Sequence, residues 1–568
     1  MNSNSTLSPV QRFWLLLKPD KKEIRNVYSY AFFNGLVNLS LPIGIQAIIN
    51  LIQGGQVSTS WIVLVAFVIA GITISGLLQV SQMRITENLQ QKIFARASFE
   101  FAYRLPRIKL EALYKHHAPE LMNRFFDVMS VQKGLSKMLI DFSTASIQVV
   151  FGLILLSLYH PFFIIFSLIL VILIYAIFKI TGRIGLQTSL VESKYKYNVA
   201  HWLQEVARTN VSFKLAGKTD ITLEKTDKEV GKYIDARESH FKILKQQYYL
   251  MIVFKVLVAA GLLIIGGILV IEQQMNIGQF VASEIIILLI LGSVEKLILS
   301  LEVVYDVLTA LEKIGQVTDL ELDPTSGIDM QTELGEKGMK VEFQNVTFCY
   351  PDQKKKILNN FSLKIEQNEK IMIAGQNDSG KSTLVSLIAG LYQPTEGFIG
   401  YNDFPQGNLN PITLRSSIGE CLSSELLFKG SLVENITMGR KRATFENVKW
   451  AIDNLGLTSV IKDLPEGYDT EIKPQGQQFS KSVINRLLIA RSIADKPKLL
   501  VIKDIFASLS LEEKIKIIDF LVHPDNLWTL VVVSTEKEIA SRMDRIAFLK
   551  SGQLDRIGTY EEMKNHLG

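Results

Sequence analysis

Cysteine is nearly absent from this chain of 568 residues, which contains only Cys349 and Cys421. Two cysteines without metal-ligand spacing exclude a disulfide framework, and they are typical of a protein in a reducing compartment. A strong excess of charge is also lacking, because 61 Lys and Arg residues face 56 Asp and Glu residues. A net charge of +5 gives no indication of a nucleic-acid partner. Gly (36) and Pro (15) occur at ordinary levels, which excludes a collagen-like or disordered chain.

Charge is missing altogether from two long stretches of the sequence. No Asp, Glu, Lys or Arg occurs from Asn26 to Met83, and none occurs from Phe142 to Phe178. Each stretch is far longer than the roughly 20 residues that cross a hydrocarbon core of about 30 Å once. Each stretch is therefore predicted to fold back on itself and to cross a membrane twice.

Six membrane spans are predicted in total. The first uncharged stretch turns at Gln53-Gly54-Gly55-Gln56, and the second turns at His160-Pro161. A fifth span is centred on Val256 to Ile271, and a weaker sixth covers Ile277 to Leu301. The predicted spans of the first stretch are Val27 to Ile52 and Trp61 to Gln82.

The basic residues predict the orientation of these spans. Lys and Arg are retained on the cytoplasmic side of short loops. They are frequent before the first span and between Arg84 and Asp141, whereas the two predicted hairpin turns carry none. We therefore expect a multi-pass protein of the plasma (inner) membrane with the N- and C-termini in the cytoplasm.

The long cytoplasmic connections and the charges of the sixth span each have two interpretations. Arg84 to Asp141 and Thr181 to Lys255 are charged and poor in Gly and Pro, which favours helical extensions over solvated loops. In the sixth span, Glu284 either lines a substrate pathway or, with Glu295 and Lys296, lies near the membrane boundary with its charge in water.

A different pattern begins after a polar linker near Thr318 to Lys337. Short β-rich runs alternate with helical stretches, as in an α/β domain. The apolar run Ile371 to Ala374 leads into a loop of the form G-x-x-x-x-G-K-[ST], followed by an apolar helix. Such a loop binds phosphate through backbone N–H groups and a helix start. The loop residues are Gly375, Gln376, Asn377, Asp378, Ser379, Gly380, Lys381, Ser382 and Thr383.

Within this loop, Lys381 is expected to reach the β- and γ-phosphates of a nucleotide, and Ser382 is expected to ligate Mg²⁺. A nucleotide and Mg²⁺ are therefore the predicted ligands of the loop.

The order of these landmarks resembles a half-size ABC exporter over nearly the whole chain. The resemblance implies a multi-domain membrane protein in which an all-α six-helix transmembrane domain precedes an α/β nucleotide-binding domain of the P-loop NTPase type. It implies that Tyr350 stacks on adenine, and that segments including Glu120 to Leu135 and Glu205 to Asp220 couple the two domains. The implied divisions are residues 1–25 (cytoplasmic), 26–317 (transmembrane), 318–337 (linker) and 338–568 (nucleotide-binding).

The same register predicts that the family's hydrolytic residues are replaced. Lys503 stands at the Mg²⁺-associated aspartate, and Asp504 stands at the catalytic glutamate as a weak substitute. A register shifted by one makes Asp504 the Mg²⁺-associated residue, with Ile505 at the glutamate position, and the site stays defective. The other substituted positions are the Q-loop glutamine (Ser423), the signature (Phe479 to Val483), the dimer-contact loop (Ala507 to Ser510) and the switch histidine (Thr535).

These substitutions predict that ATP is bound but hydrolysed slowly or not at all. The resemblance implies a homodimer, or a heterodimer with a second half-transporter, and neither pairing gives a complete site. The leading interpretation is a half-transporter that moves an unidentified substrate across the lipid bilayer. The alternative is a nucleotide-gated regulatory or receptor-like membrane subunit without an export cycle.

Overall fold

The computed structural model describes residues 7–53, 59–114, 116, 118–333, 335, 337–422 and 426–566. The chain divides into two compact units. The helical unit comprises Met1–Arg107 and His116–Leu320, and the C-terminal unit comprises Glu321–Gly568 together with the short segment Ile108–Lys115. The division at Leu320 falls inside the predicted linker, whose bounds stay predictions.

Helices, both long and short, make up almost all of the described chain up to Thr318. They are α1 (Pro9–Leu17), α2 (Lys21–Asn38), α3 (Ser40–Gln53), α4 (Thr59–Arg104), α5 (Leu110–Leu113), α6 (Ala118–Leu121), α7 (Asp127–Tyr159), α8 (Phe162–Arg208), α9 (Asn210–Leu215), α10 (Ile221–Gly261), α11 (Gly267–Ile271) and α12 (Ile277–Thr318). A π-helical turn, Leu262–Gly266, joins α10 to α11.

Six helical stretches are long and apolar enough to cross a membrane, as the uncharged runs predict. Their bounds are Pro9–Gln53, Thr59–Arg107, Ala118–Tyr159, Phe162–Arg208, Ile221–Ile271 and Ile277–Thr318. Four of these stretches continue far beyond the predicted apolar segments, because the charged connections are helical in the structure. The structure thus agrees with the prediction that the connections are helical extensions and not solvated loops.

The turns between the spans follow the sequence closely. Helix α7 ends at Tyr159 and α8 begins at Phe162, on either side of His160-Pro161. Residues Gly54 to Gln56 of the other predicted turn lie outside the described residues. The first span differs from the prediction, because it is divided into α2 and α3 near Leu39. Pro42 lies in the first turn of α3, where its missing N–H disrupts no helical hydrogen bond.

The interior of the helical unit is packed most closely between α7 and α12. A Cβ atom on Gly134 would lie 2.3 Å from a methyl carbon of Val307, and one on Gly152 would lie 2.8 Å from Ile290. Glycine therefore brings the two backbones together, as small residues do between membrane helices. On the outside, α4 and α8 expose large apolar side chains such as Phe67 and Ile165, which suit a lipid environment.

One of the charges predicted for the sixth span is paired within the helical unit. The ammonium of Lys255 in α10 lies 2.7 Å from a carboxylate oxygen of Glu295 in α12. Pairing lowers the cost of holding an ionised side chain in this helical bundle. Glu284 is half-buried and Lys296 is exposed. Both interpretations of Glu284 stay open.

The C-terminal unit is an α/β structure. Its strands are β1 (Val341–Phe348), β2 (Leu358–Ile365), β3 (Lys370–Gly375), β4 (Glu396–Tyr401), β5 (Phe404–Pro405), β6 (Ile418–Cys421), β7 (Gly430–Ser431), β8 (Glu471–Ile472), β9 (Leu499–Lys503), β10 (Thr529–Val533), β11 (Arg545–Lys550) and β12 (Gln553–Gly558). Its helices are α13 (Met330–Glu333), α14 (Lys381–Ile388), α15 (Pro411–Ser416), α16 (Leu432–Thr437), α17 (Phe445–Asn454), α18 (Thr458–Lys462), α19 (Lys481–Ile493), α20 (Leu511–Val522), α21 (Lys537–Ala540) and α22 (Tyr560–Met563).

The main sheet of this unit has the strand order β12-β11-β3-β10-β9-β6. Strands β11, β3, β10, β9 and β6 run parallel, and β12 is antiparallel to β11. The central strands are buried along their length, which explains their continuous apolar runs. Parallel strands end at one edge of a sheet, where doubly wound proteins bind ligands. The loops that follow β3 and β9 lie at this edge.

Candidate nucleotide site

The phosphate loop joins the buried strand β3 to helix α14. Gly375 has a φ of +147°, and a Cβ atom there would lie 2.3 Å from the carbonyl oxygen of Leu549. Gly380 has a φ of +99° and directly precedes α14. Only glycine fits both positions without strain. The two glycines of the motif are therefore required by the path of the backbone.

The loop presents donors and exposed polar side chains where a phosphate would bind. Within the described part of the chain, no side chain caps the start of α14, so its first N–H groups are available to an anion. The Nζ of Lys381 donates hydrogen bonds to the carbonyls of Gly375, at 2.8 Å, and of Gln376. The Ser379 hydroxyl is buried and makes no hydrogen bond within the described residues. These features fit a bound triphosphate, and Gln376, Asn377, Asp378 and Ser382 are exposed around them.

Two charged residues at the carboxyl end of β9 act on Lys381. Partial burial lowers the pKa of the Lys381 ammonium below its usual value, an effect that Asp504 opposes and Lys503 increases. Within the loop, Asp378 adopts the left-handed conformation with a φ of +60°. That conformation favours glycine, and the Asp378 carboxylate adds a negative charge beside the predicted phosphate position.

Lys503 and Asp504 lie at the carboxyl end of β9. The register aligns Lys503 with Val533 of β10, and Val533 with Ile373 of β3, shortly before the phosphate loop. The Lys503 ammonium forms an ion pair of 3.0 Å with the Asp504 carboxylate. The Lys503 side chain is 17% exposed and that of Asp504 is 55% exposed. The acidic group at the predicted glutamate position is thus engaged by the neighbouring lysine.

Tyr350 lies beside the phosphate loop within an aromatic cluster. Its hydroxyl is 3.0 Å from the hydroxyl of Thr383 in α14. The ring of Tyr114 stacks on the Tyr350 ring, with centroids 5.4 Å apart and an angle of 14° between the planes. Tyr392 meets Tyr350 edge to face at 5.6 Å. Burial raises the pKa of Tyr392 to about 12.

The sequence analysis missed Tyr114. This residue follows α5 in the segment Ile108–Lys115, which groups with the C-terminal unit, whereas the predicted coupling segment Glu120 to Leu135 belongs to the helical unit. The Tyr114 hydroxyl also accepts a hydrogen bond from the side-chain amide of Gln353. No local pattern around Tyr114 indicates this partner. Only the implied proximity of a cytoplasmic connection to the nucleotide domain pointed to this region.

Two of the other positions that the register predicts to be substituted make hydrogen bonds in the structure. Ser480 caps the start of α19, and its hydroxyl accepts a hydrogen bond of 3.3 Å from the N–H of Val483. Ser508 accepts a hydrogen bond of 2.7 Å from the Asn485 side chain. Thr535 is exposed after β10. Ser423, at the predicted Q-loop position, lies outside the described residues.

Among the residues that the structure describes, few side chains near the phosphate loop are ligands for Mg²⁺. The Ser382 hydroxyl is the ligand that the sequence predicts, and Asp504 supplies a carboxylate that Lys503 already engages. Within the described part of the chain, no group of three or more His, Cys, Asp or Glu residues is arranged to hold a metal ion. Mg²⁺ prefers oxygen ligands and also takes them from water and phosphate. The described side chains around the loop therefore fit a nucleotide, and they offer Mg²⁺ the Ser382 hydroxyl and a carboxylate that is paired with a lysine.

A membrane bundle followed by a P-loop α/β domain defines the class of ABC transporters. The family profile for the ABC transporter transmembrane region matches residues 28–294, and the profile for the ABC transporter domain matches residues 358–506. The chain belongs to the ABC transporter family, with the half-size arrangement of one membrane region and one nucleotide-binding domain. The resemblance inferred from the sequence is confirmed.

Individual relatives match mainly over part of their length. The chain is 31% identical over 252 residues, 44% of this chain and 43% of the relative, to the uncharacterized ABC transporter ATP-binding protein YfiB of Bacillus subtilis. It is 28% identical over 298 residues, 52% of this chain and 42% of the relative, to the alpha-hemolysin translocation ATP-binding protein HlyB of Escherichia coli. The matched region thus spans less than half the length of these curated relatives.

A solved structure resembles the fold over nearly the whole chain. It is a bacterial Atm1-family ABC exporter with ATP bound, which aligns with a TM-score of 0.83 over 96% of both chains. Its sequence identity of 17% limits this likeness to the fold. The predicted fold class, six apolar helices followed by an α/β nucleotide-binding domain, is confirmed.

Proposed function

We propose that this protein is an ATP-binding half-transporter of the ABC exporter type, with weak or absent ATP hydrolysis. The observation that carries the proposal is the contrast at one sheet edge. The phosphate loop keeps its glycines, its lysine and its uncapped helix start, whereas Lys503 and Asp504 form an ion pair in place of the family's two acidic residues. The transported substrate is unidentified.

In the proposed site, Tyr350 recognises the base and the loop from Gly375 to Thr383 holds the phosphates. Lys381 exchanges its backbone carbonyl partners for phosphate oxygens when the nucleotide binds. Ser382 stays the predicted contact for Mg²⁺. Mg²⁺, when it is bound, neutralises phosphate charge.

Weak hydrolysis follows from what phosphoryl transfer requires. The protein must position the water, stabilise developing charge and align the leaving group, with little covalent chemistry of its own. A positioned general base alone contributes roughly 10²- to 10⁴-fold. Asp504 is one methylene shorter than glutamate and is paired with Lys503. Thr535, in place of the family's switch histidine, supplies no imidazole.

The site is proposed to be completed by a second nucleotide-binding domain. Two copies of this chain create two sites that both lack the family's hydrolytic residues. A partner with intact motifs creates one site with this phosphate loop and another with intact hydrolytic residues opposite Phe479 to Val483. We propose an assembly in the plasma membrane with both termini in the cytoplasm, supported by the basic connections between the spans.

A regulatory membrane subunit is the second candidate. The loss of the family's residues at several separate positions favours this alternative, because nucleotide binding alone can order a protein. In that case ATP stabilises one conformation without an export cycle.

The test uses the full chain reconstituted in lipid. ATP binding is measured by equilibrium dialysis, and phosphate release is measured with and without candidate substrates. Binding with phosphate release stimulated by a substrate supports the transporter. Binding with release equal to a Lys381→Ala control supports the regulatory subunit. Rapid basal release that is lost in Asp504→Asn contradicts weak hydrolysis, and absence of ATP binding contradicts both candidates.

A further inference from the structure

The charges around the phosphate loop point to a nucleotide without its usual metal. Lys381 follows the carboxyl end of β3, and Lys503 lies at the carboxyl end of β9. Both ammonium groups therefore add positive charge at the same edge of the sheet. Lys503 stands where the family resemblance implies a carboxylate that associates with Mg²⁺. A cation at that position repels Mg²⁺ and attracts phosphate oxygens.

The ion pair of Lys503 is weak enough for an anion to replace its partner. Its ammonium pairs with the more exposed carboxylate of Asp504 at 3.0 Å. Ion pairs with an exposed partner are weak, because water and salt screen them. A phosphate group, with more negative charge and three acceptor oxygens, competes favourably with such a carboxylate. Lys503 can therefore change partners without leaving a buried charge unpaired.

We propose that the phosphate loop binds ATP in the absence of Mg²⁺, with the Lys503 ammonium supplying the counter-charge that the metal provides in other family members. The inference rests on the proposed ATP binding and specifies the form of its ligand. Lys381 and Lys503 contact the phosphate oxygens, and the start of α14 supplies backbone N–H groups. No bond is broken, so the nucleotide is released unchanged.

The experiment measures the affinity of the full-length protein in lipid nanodiscs for ATP, first in excess EDTA and then in millimolar Mg²⁺. We expect the two dissociation constants to agree within about threefold. Lys503→Met weakens binding in EDTA at least about tenfold, because a charge-assisted contact is lost. Lys503→Asp makes binding depend on Mg²⁺, since it restores a metal-associated carboxylate and removes the ammonium.

The matched control is Lys364→Met, which removes a lysine from β2 that is half exposed and paired with Glu366. It is expected to leave both affinities unchanged. Wild-type binding that weakens tenfold or more in EDTA overturns the inference while leaving ATP binding intact. Unchanged affinity of Lys503→Met in EDTA also overturns it. Absence of binding in both conditions contradicts the proposed function itself.

A second observation, the stack of Tyr114 on Tyr350, carries an independent inference about the base. The rings are nearly parallel, with centroids 5.4 Å apart, and Gln353 holds the Tyr114 hydroxyl. The segment is tied down at its start, because the N–H of Lys109 donates a 2.9 Å hydrogen bond to the carbonyl of Glu321. Tyr114 therefore covers a face of the ring that the sequence assigns to adenine.

We infer that Tyr114 competes with the adenine base for the ring of Tyr350. When ATP binds, adenine displaces Tyr114 from Tyr350. The inference rests on the proposed ATP binding and concerns only the base. Tyr114 follows α5 in the connection between α4 and α7. Release of Tyr114 therefore changes this connection when the base binds. Tripolyphosphate, which has no base, occupies the phosphate loop without displacing Tyr114.

The test compares ATP and tripolyphosphate in the same full-length protein. Tyr114→Ala is expected to raise ATP affinity about two- to tenfold, the value of an aromatic pair, and to leave tripolyphosphate affinity unchanged. Tyr114→Phe, which keeps the ring, is the control and stays near wild type. In the wild type, ATP but not tripolyphosphate is expected to increase hydrogen exchange in α5. Weaker or unchanged ATP binding in Tyr114→Ala, or equal exchange with both ligands, overturns the inference.

Discussion

The loop after β3 and the loop after β9 lie at the same edge of one sheet, yet they differ in what they keep of the family pattern. The loop after β3 retains the two glycines that its backbone path requires, Gly375 and Gly380. At the end of β9, Lys503 and Asp504 stand at the two positions where the register predicts the family's acidic residues, and Ile505 and Phe506, which follow, are buried. The comparison shows that the proposed phosphate-binding residues and the predicted hydrolytic positions lie in separate segments, so each set can be changed without the other.

The largest effect is expected from restoring the loop after β9 together with the other hydrolytic positions. Restoring the family residue at every substituted position should raise phosphate release roughly 10²- to 10⁴-fold, the contribution typical of a positioned base. Restoring only Lys503→Asp and Asp504→Glu should change release less than about threefold, because groups that act as a unit are not additive. Release is measured with the reconstituted chain. A large gain from the pair alone contradicts this view.

Removing the main cation of the loop after β3 is expected to have the next largest effect. Lys381→Ala should weaken ATP binding about 100-fold, because it removes hydrogen bonds from a charged donor. Equilibrium dialysis measures the change, and circular dichroism checks that the variant is folded. The Lys364→Met variant serves again as the control, because Lys364 lies in β2 and not in the phosphate loop. Retained affinity in Lys381→Ala means that the nucleotide binds elsewhere.

A smaller effect is expected at the exposed tip of the phosphate loop. Asp378→Gly removes a carboxylate and suits the φ of +60°, so ATP affinity should rise about fivefold, the equivalent of about 1 kcal/mol. Asp378→Asn is the matched control, because it removes the charge and keeps a side chain of the same size at the φ of +60°. The same dialysis assay applies. A gain in Asp378→Gly that is absent in Asp378→Asn attributes the effect to the backbone and not to the charge.

The smallest predicted effect concerns pH. Burial lowers the pKa of Lys381, with Asp504 and Asp378 opposing the shift and Lys503 increasing it. As pH rises through that lowered pKa, the free protein loses the ammonium that phosphate needs, so ATP affinity should fall. We expect a small and gradual decline in ATP affinity that begins below the usual lysine pKa of about 10.4. Lys381→Arg should flatten the Lys381 component, because arginine stays protonated. A rise in affinity with pH contradicts the assignment.

The sequence predicts the features that depend on neighbouring residues. Gly375 and Gly380 encode the path of the phosphate loop, and His160-Pro161 encodes the turn between two spans, because both act through local backbone geometry. The division of the first span near Leu39 was missed, since an uncharged stretch gives no indication of where its helix breaks. The Tyr114–Tyr350 stack was missed because its two rings are distant in the chain and meet only through folding.

The roles at the candidate site follow the same division. The pairing of Lys503 with Asp504 joins adjacent residues whose types are visible in the sequence, but its geometry depends on the end of β9. The half-burial of Lys381, which lowers its pKa, arises from the surrounding strands and helices and has no signature in the loop itself. Residue types thus indicate which groups meet a phosphate, and packing decides how strongly each group acts.

The glycine contacts between α7 and α12 bear on how the helical unit moves. Gly134 lets Val307 rest directly on the α7 backbone, and Gly152 does the same for Ile290. Surfaces that interlock in this way resist sliding, because any displacement creates either overlap or empty space. The two helices are therefore expected to move as one rigid body. Bending is then expected in the other spans, and the π-helical turn Leu262–Gly266 is a position where a helix can bend.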